Sequence, residues 1–87
     1  MATVLLPRSL LALFPGVERR QSVTAGDVLG VLTELDGRIP GLRDRLIQEG
    51  PSLRPHINVF VAGRAAELDT VVASDDVVHV IPAVSGG

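Results

Sequence analysis

The stretch that most limits how this chain can fold is its last one, Val78-His79-Val80-Ile81-Pro82-Ala83-Val84-Ser85-Gly86-Gly87. It reads as an apolar strand that runs into Pro82. Proline has no N–H to donate, so a sheet ladder ends there. Five residues follow, and the last two carry no side chain. Fully extended, they reach roughly 16 Å beyond the sheet. Everything upstream is then a scaffold that presents this end.

Glycine lets a backbone lie in a channel too narrow for a Cβ, and it leaves a terminal carboxylate unshielded. The candidate reactive group is therefore the α-carboxylate of Gly87, carried by a tail of Val84, Ser85 and Gly86. The plain alternative is a frayed end of small residues, which most domains have.

The rest of the chain limits other chemistries. Eighty-seven residues make one small domain, and 46% hydrophobic with 21% charged residues is a globular composition. Two Phe and no Trp or Tyr leave the core to Val, Leu and Ile. A net charge of −2 points to neither nucleic acid nor an anionic membrane. With no cysteine, disulfides, thiolate catalysis and Cys-based metal sites are excluded together. All eight basic residues are Arg, so the chain cannot be joined to copies of itself through internal lysines. Neither a signal peptide nor a membrane-length apolar run is evident, and the expected location is the cytoplasm.

Along the chain, Thr3-Val4-Leu5-Leu6 is a short strand closed by Pro7. Ser9 to Phe14 is apolar, and either extends that strand or covers a core edge. After the Pro15-Gly16 turn, Glu18 to Val23 reads as a polar edge strand forming a hairpin with the first. Thr24-Ala-Gly-Asp27 resembles a capping box, with Thr24 accepting an N–H and Asp27 reaching back. Val28, Val31, Leu32 and Leu35 form one helical stripe, ended by Gly37 at C′. Gly30 within it suggests close contact between helix and sheet. A second helix is expected over Leu42 to Gln48, burying Leu42, Leu46 and Ile47, then a loop from Glu49 to His56. Ile57 to Val61 alternates as a half-buried strand, Ala62-Gly63 turns it, and Arg64-Ala65-Ala66 returns. Leu68 and Val72 plug the core, and Ser74-Asp75-Asp76 turns into the last strand. The expected class is α+β: a roll of mixed sheet with one main helix on one face, residues 1–82 forming the domain and 83–87 a flexible tail.

This order, with Leu6-Pro7, Ser22-Val23, Gly26-Asp27…Leu29-Gly30, Asn58-Val59-Phe60-Val61, Asp76-x-Val78 and the Ile81-Pro82-Ala83-Val84-Ser85-Gly86-Gly87 ending, resembles the β-grasp, ubiquitin-like fold. Within it the chain is similar to the MoaD/ThiS family of sulfur carriers, above all the CysO type. The turn before the last strand usually holds a Gly, where this chain has Asp75.

The resemblance implies that the chain is no enzyme but a co-substrate. An E1-like adenylyltransferase/sulfurtransferase would use ATP and Mg to adenylate Gly87, and sulfur would then replace AMP to leave a C-terminal thiocarboxylate. A sulfur-accepting synthase, cysteine-synthase-like in the CysO type, would take the sulfur, and a metalloprotease would release cysteine from the tail. The chain itself would bind no cofactor. Two other roles stay open: the small subunit of molybdopterin synthase, and a ubiquitin-like protein modifier.

Alternation places Val78 and Val80 toward the helix, with His79 and Ile81 on the other face. Asn58 and Phe60 face the same way, so Phe60, Ala65, His79 and Ile81 make a candidate docking patch; the alternative is that residues 8–15 fold over it. His56 and His79 have no convergent ligands in the sequence and read as surface or interface residues. Arg19-Arg20 and Arg43-x-Arg45 lack the aromatic platforms of a nucleic-acid site and read as solvated charges. Gly26-x-x-x-Gly30 is no phosphate loop, having no Lys-Ser/Thr after it.

Overall fold

In a computed structural model, which describes residues 1–82, both ends of that span lie side by side in one sheet. The elements in chain order are β1 (Ala2–Leu5), α1 (Arg8–Leu11), β2 (Arg20–Val23), β3 (Gly26–Asp27), α2 (Val28–Arg38), α3 (Leu42–Leu46), β4 (Ile47–Gln48), β5 (Ser52–Leu53), β6 (Ile57–Val61), β7 (Arg64–Ala66), β8 (Val71–Val72) and β9 (Val77–Pro82). The main sheet runs β2-β1-β9-β6-β7, with β1 and β9 parallel and the other pairs antiparallel. It is a mixed sheet with α2 against one face.

The β9 strand enters between its neighbours because the turn before it is tied to β1. Asp75 has φ +73°, a left-handed backbone that Asp tolerates better than most residues, and its N–H donates to the carbonyl of Met1 (2.9 Å). Thr3 in turn donates to the Asp76 carbonyl (3.0 Å). On the far side, Ala62 (φ +50°) and Gly63 (φ +81°) make the two-residue turn of positive φ that matches strand twist in the β6–β7 hairpin. The Ala62 N–H reaches the Val77 carbonyl at 3.0 Å. Both ends of these turns thus fix the start of β9.

The core is aliphatic, as its composition requires. Val28, Val31, Leu32 and Leu35 of α2 are all buried, packed in one cluster with Val4, Val23, Val59, Val61, Val78 and Val80. Leu42, Leu46, Ile47 and Val72 are buried with them, and Leu68 packs against the cluster. Burying each such side chain contributes about 1.5–3 kcal/mol against leaving it in water.

Several local expectations give way to different solutions. The helix start is no capping box: Asp27 is itself the N-cap, and its Oδ1 accepts from the Gly30 N–H (2.7 Å). The Thr24 N–H goes to Glu34 Oε1 (3.0 Å). Val28 and Leu29 donate to the carbonyls of Thr70 (3.1 Å) and Leu68 (2.9 Å), so the first three N–H groups of α2 are all satisfied. Gly26–Asp27 pairs with Val71–Val72 in a small second ladder, which pulls the helix start past Thr24. Gly30 answers to this cap and not to the sheet, since a Cβ there would lie 3.0 Å from Asp27 Oδ1.

Gly37 does not end the helix. The turn continues because Ile39 is buried and its N–H bonds back to Leu35 (2.8 Å), so the left-handed residue is Gly41 (φ +95°). The second helix stops at Leu46, and Ile47–Gln48 pairs with Ser52–Leu53, so the expected loop holds a small hairpin. Ser9 to Phe14 is mostly a helical turn whose Leu10 enters the core. Arg38 closes α2 onto the edge strand: it pairs with Glu34 and donates to the Ser22 carbonyl at 2.6 Å. Among the described residues no helix is long and apolar enough to cross a membrane.

Candidate functional site

The site grows from β9, the strand that leads to the chain's last residues. β9 sits between β1 and β6 and is paired to its last residue, where Pro82 stands opposite Ile57. Its alternation falls as the sequence reading has it. Val78 (0% exposed) and Val80 (2%) enter the core, while Ile81 (44%) points to the face away from α2.

Register then assembles the open face row by row. One row crosses the sheet through Ala65, Phe60, His79, Leu5 and Arg20, each the direct partner of the next. The neighbouring row pairs Asn58 with Ile81. Directly opposed side chains on one face stand close enough to form a continuous surface. Ala65 and Ile81 are exposed, and Phe60, His79 and Leu5 are half-buried. The four residues singled out in the sequence, Phe60, Ala65, His79 and Ile81, thus come together on one face.

Leu5 belongs to the same row, and sequence reasoning missed it. The signal was available: Leu5 alternates with the inward Val4 and Leu6, but its partner across β9 depends on a parallel pairing that no local pattern specifies. The segment 8–15 does not close over this face. Leu10 is in the core, and Phe14 lies at Gly41, its ring 3.6 Å from where a Cβ would stand, beyond the end of α2.

Val84, Ser85, Gly86 and Gly87 lie outside the described residues. Among those described, no group of three metal-ligating side chains converges, and His56 and His79 stand apart on the strand-entry segment and on the open face. Nothing in this arrangement offers a nucleophile with its base. The geometry instead presents a surface and a strand end, which suits a protein that other proteins handle.

Comparison with known proteins agrees with that geometry. The model of the ThiS family matches residues 13–87. Small archaeal modifier protein 1 of Haloferax volcanii is 39% identical over 64 residues, which cover 74% of this chain and 70% of that protein. Among solved structures, a chain of the BexX/CysO complex of Amycolatopsis orientalis superposes with a TM-score of 0.87 at 28% identity, covering 100% of both chains. Mycobacterium tuberculosis CysO superposes at 0.85 with 24% identity, covering 97% of this chain and 100% of its own, and shows the shared fold. The sheet order and the single main helix are thus those of the ubiquitin-like β-grasp.

Proposed function

The chain belongs to the ThiS family, and on that premise we propose that it is a sulfur carrier whose working group is the α-carboxylate of Gly87. Family members are small ubiquitin-like carriers or modifiers and are not themselves enzymes. The observation that carries the reading is the position of β9. The strand is held to its last residue, Pro82, by pairing with Ile57, and four residues separate it from Gly87.

The chemistry follows from the weakness of a carboxylate as an electrophile. A Gly87 oxygen attacks the α-phosphorus of ATP on an E1-like partner, pyrophosphate leaves, and an acyl adenylate forms. Hydrosulfide supplied by the partner then attacks the carbonyl carbon and loses its proton, and AMP departs with the electron pair of the broken C–O bond. The product is a thiocarboxylate, and a cysteine-free protein can hold sulfur in this form. Phe60, Ala65, His79 and Ile81 would dock the activating enzyme, and a cysteine-synthase-like or other synthase would consume the sulfur. ATP and Mg belong to the activating partner.

The likeness to a small archaeal modifier protein supports a second reading. Here the same adenylate is attacked by a lysine amine of another protein, which loses a proton and forms an amide as AMP departs. Mass spectrometry of the chain from its own cells separates the two. The carrier reading expects Gly87 with one oxygen replaced by sulfur, and its loss in a chain lacking Gly86-Gly87. An isopeptide-linked C-terminal remnant of this chain on foreign lysines, with no thiocarboxylate, would favour the modifier. If the native chain extends beyond Gly87 without processing, both readings fail.

A further inference from the structure

A second surface sits beside the end of β9 and takes no part in the open face. Arg45, Arg54 and His56, with Gly41 and Asp44, line a cleft of about 570 Å³ between α3 and the segment entering β6. Arg54 is held at three points. Its N–H donates to the Leu46 carbonyl (2.9 Å), its carbonyl accepts from the Ile57 N–H (2.9 Å), and its Nε–H donates to the Asp44 carbonyl (2.8 Å). A guanidinium fixed through Nε keeps its terminal N–H groups for another partner.

No carboxylate within the described residues takes up these charges, where the one ion pair is Arg38–Glu34. The cleft is therefore a local cationic site on a chain of net charge −2. Its position is set by register: Ile57, next to His56, is the residue opposite Pro82. Asp75 and Asp76 lie at the other end of the same strand, immediately before Val77. Thus β9 runs from an acidic end to a basic one.

We propose that this cleft docks an acidic segment of the enzyme that engages Gly87, an inference that rests on the carrier reading above. A protein that takes hold of the residues after Pro82 works within roughly 16 Å of this end of the sheet. Arginine suits a carboxylate because its planar fork can donate two parallel hydrogen bonds. Two guanidiniums, one on α3 and one on the segment entering β6, fit a segment with spaced carboxylates. A compact phosphate dianion would set more charge against Asp44, which shares the lining. Such complementarity acts mainly on encounter and orientation, and it weakens with salt as screening shortens to about 8 Å at physiological ionic strength.

The test is pyrophosphate exchange by the cognate E1-like enzyme with the full chain, reading KM and kcat at low and high salt. Arg45 is exposed, so Arg45→Glu should keep the wild-type melting temperature. We expect it to raise the KM for this chain about fivefold at low salt, leave kcat unchanged and flatten the salt dependence. Arg54→Gln should act in the same direction. Wild-type exchange with no change of KM in either variant overturns the docking site and leaves the carrier reading standing. A rise in the KM for ATP instead identifies a phosphate site and also overturns it. No Gly87-dependent exchange by the wild type overturns the carrier reading, and this inference with it.

Discussion

The two faces of β9 use similar side chains for opposite ends. Val78 and Val80 are 0% and 2% exposed, whereas Ile81, one residue on, is 44% exposed. Hydrophobicity does not separate them, since isoleucine buries at least as readily as valine. The helix does. Val28, Val31, Leu32 and Leu35 close the inner face, and among the described residues no element covers the outer one. An apolar side chain left open beside a strand end has nothing to do for stability, and that difference is the reason to assign it to a partner.

The comparison can be broken most forcefully at Val80. Val80→Asp places a carboxylate among aliphatic side chains with no donor beside it, and the cost should be about 4 kcal/mol or more. For a domain this small the expected result is loss of cooperative unfolding in a thermal melt monitored by circular dichroism. A folded Val80→Asp protein would mean that the inner face is not sealed.

A smaller effect tests what seals it. Asp27 caps α2, and its Oδ1 satisfies the Gly30 N–H. Asp27→Ala should lower stability by about 1 kcal/mol in urea unfolding without changing the m-value. An unchanged midpoint would assign the helix start to the Thr70 and Leu68 carbonyls alone.

How much of this was legible in the sequence depends on the range of each interaction. The α2 stripe and the alternation of β6 and β9 are local periodicities, and every core position read from them is buried. The helix start was misplaced because β3 forms only against β8, some 45 residues away, and that pairing outweighs a capping box at Thr24. Gly37 was a plausible stop until the burial of Ile39 carried the helix past it. The open-face patch could be named from alternation, but Leu5 joins it only through a parallel partner. The Arg45, Arg54 and His56 cleft left no trace in the sequence, because α3 and the segment entering β6 are joined only by the β4–β5 hairpin and by the bonds of Arg54 to the Leu46 and Asp44 carbonyls. What is periodic or adjacent was readable, and what is assembled was not.

The smallest expected effect on stability is also the most discriminating. Ile81→Asp introduces the same carboxylate one residue from Val80, on a side chain that already meets water. Its cost should stay within about 0.5 kcal/mol, as for other surface substitutions. Asn58, the residue directly opposite, is exposed and polar, so the new charge meets no apolar neighbour across that pair. Phe60→Asp should cost somewhat more, because Phe60 is half-buried in the Ala65–His79 row. Both should nevertheless weaken binding to the activating enzyme, read as a raised KM for this chain in pyrophosphate exchange. The contrast between the two aspartates then separates folding from recognition on a single strand. Equal destabilisation by Ile81→Asp and Val80→Asp would mean that the outer face is also packed. Normal KM values in stable Ile81→Asp and Phe60→Asp proteins would move the docking surface elsewhere and leave the open face without a partner.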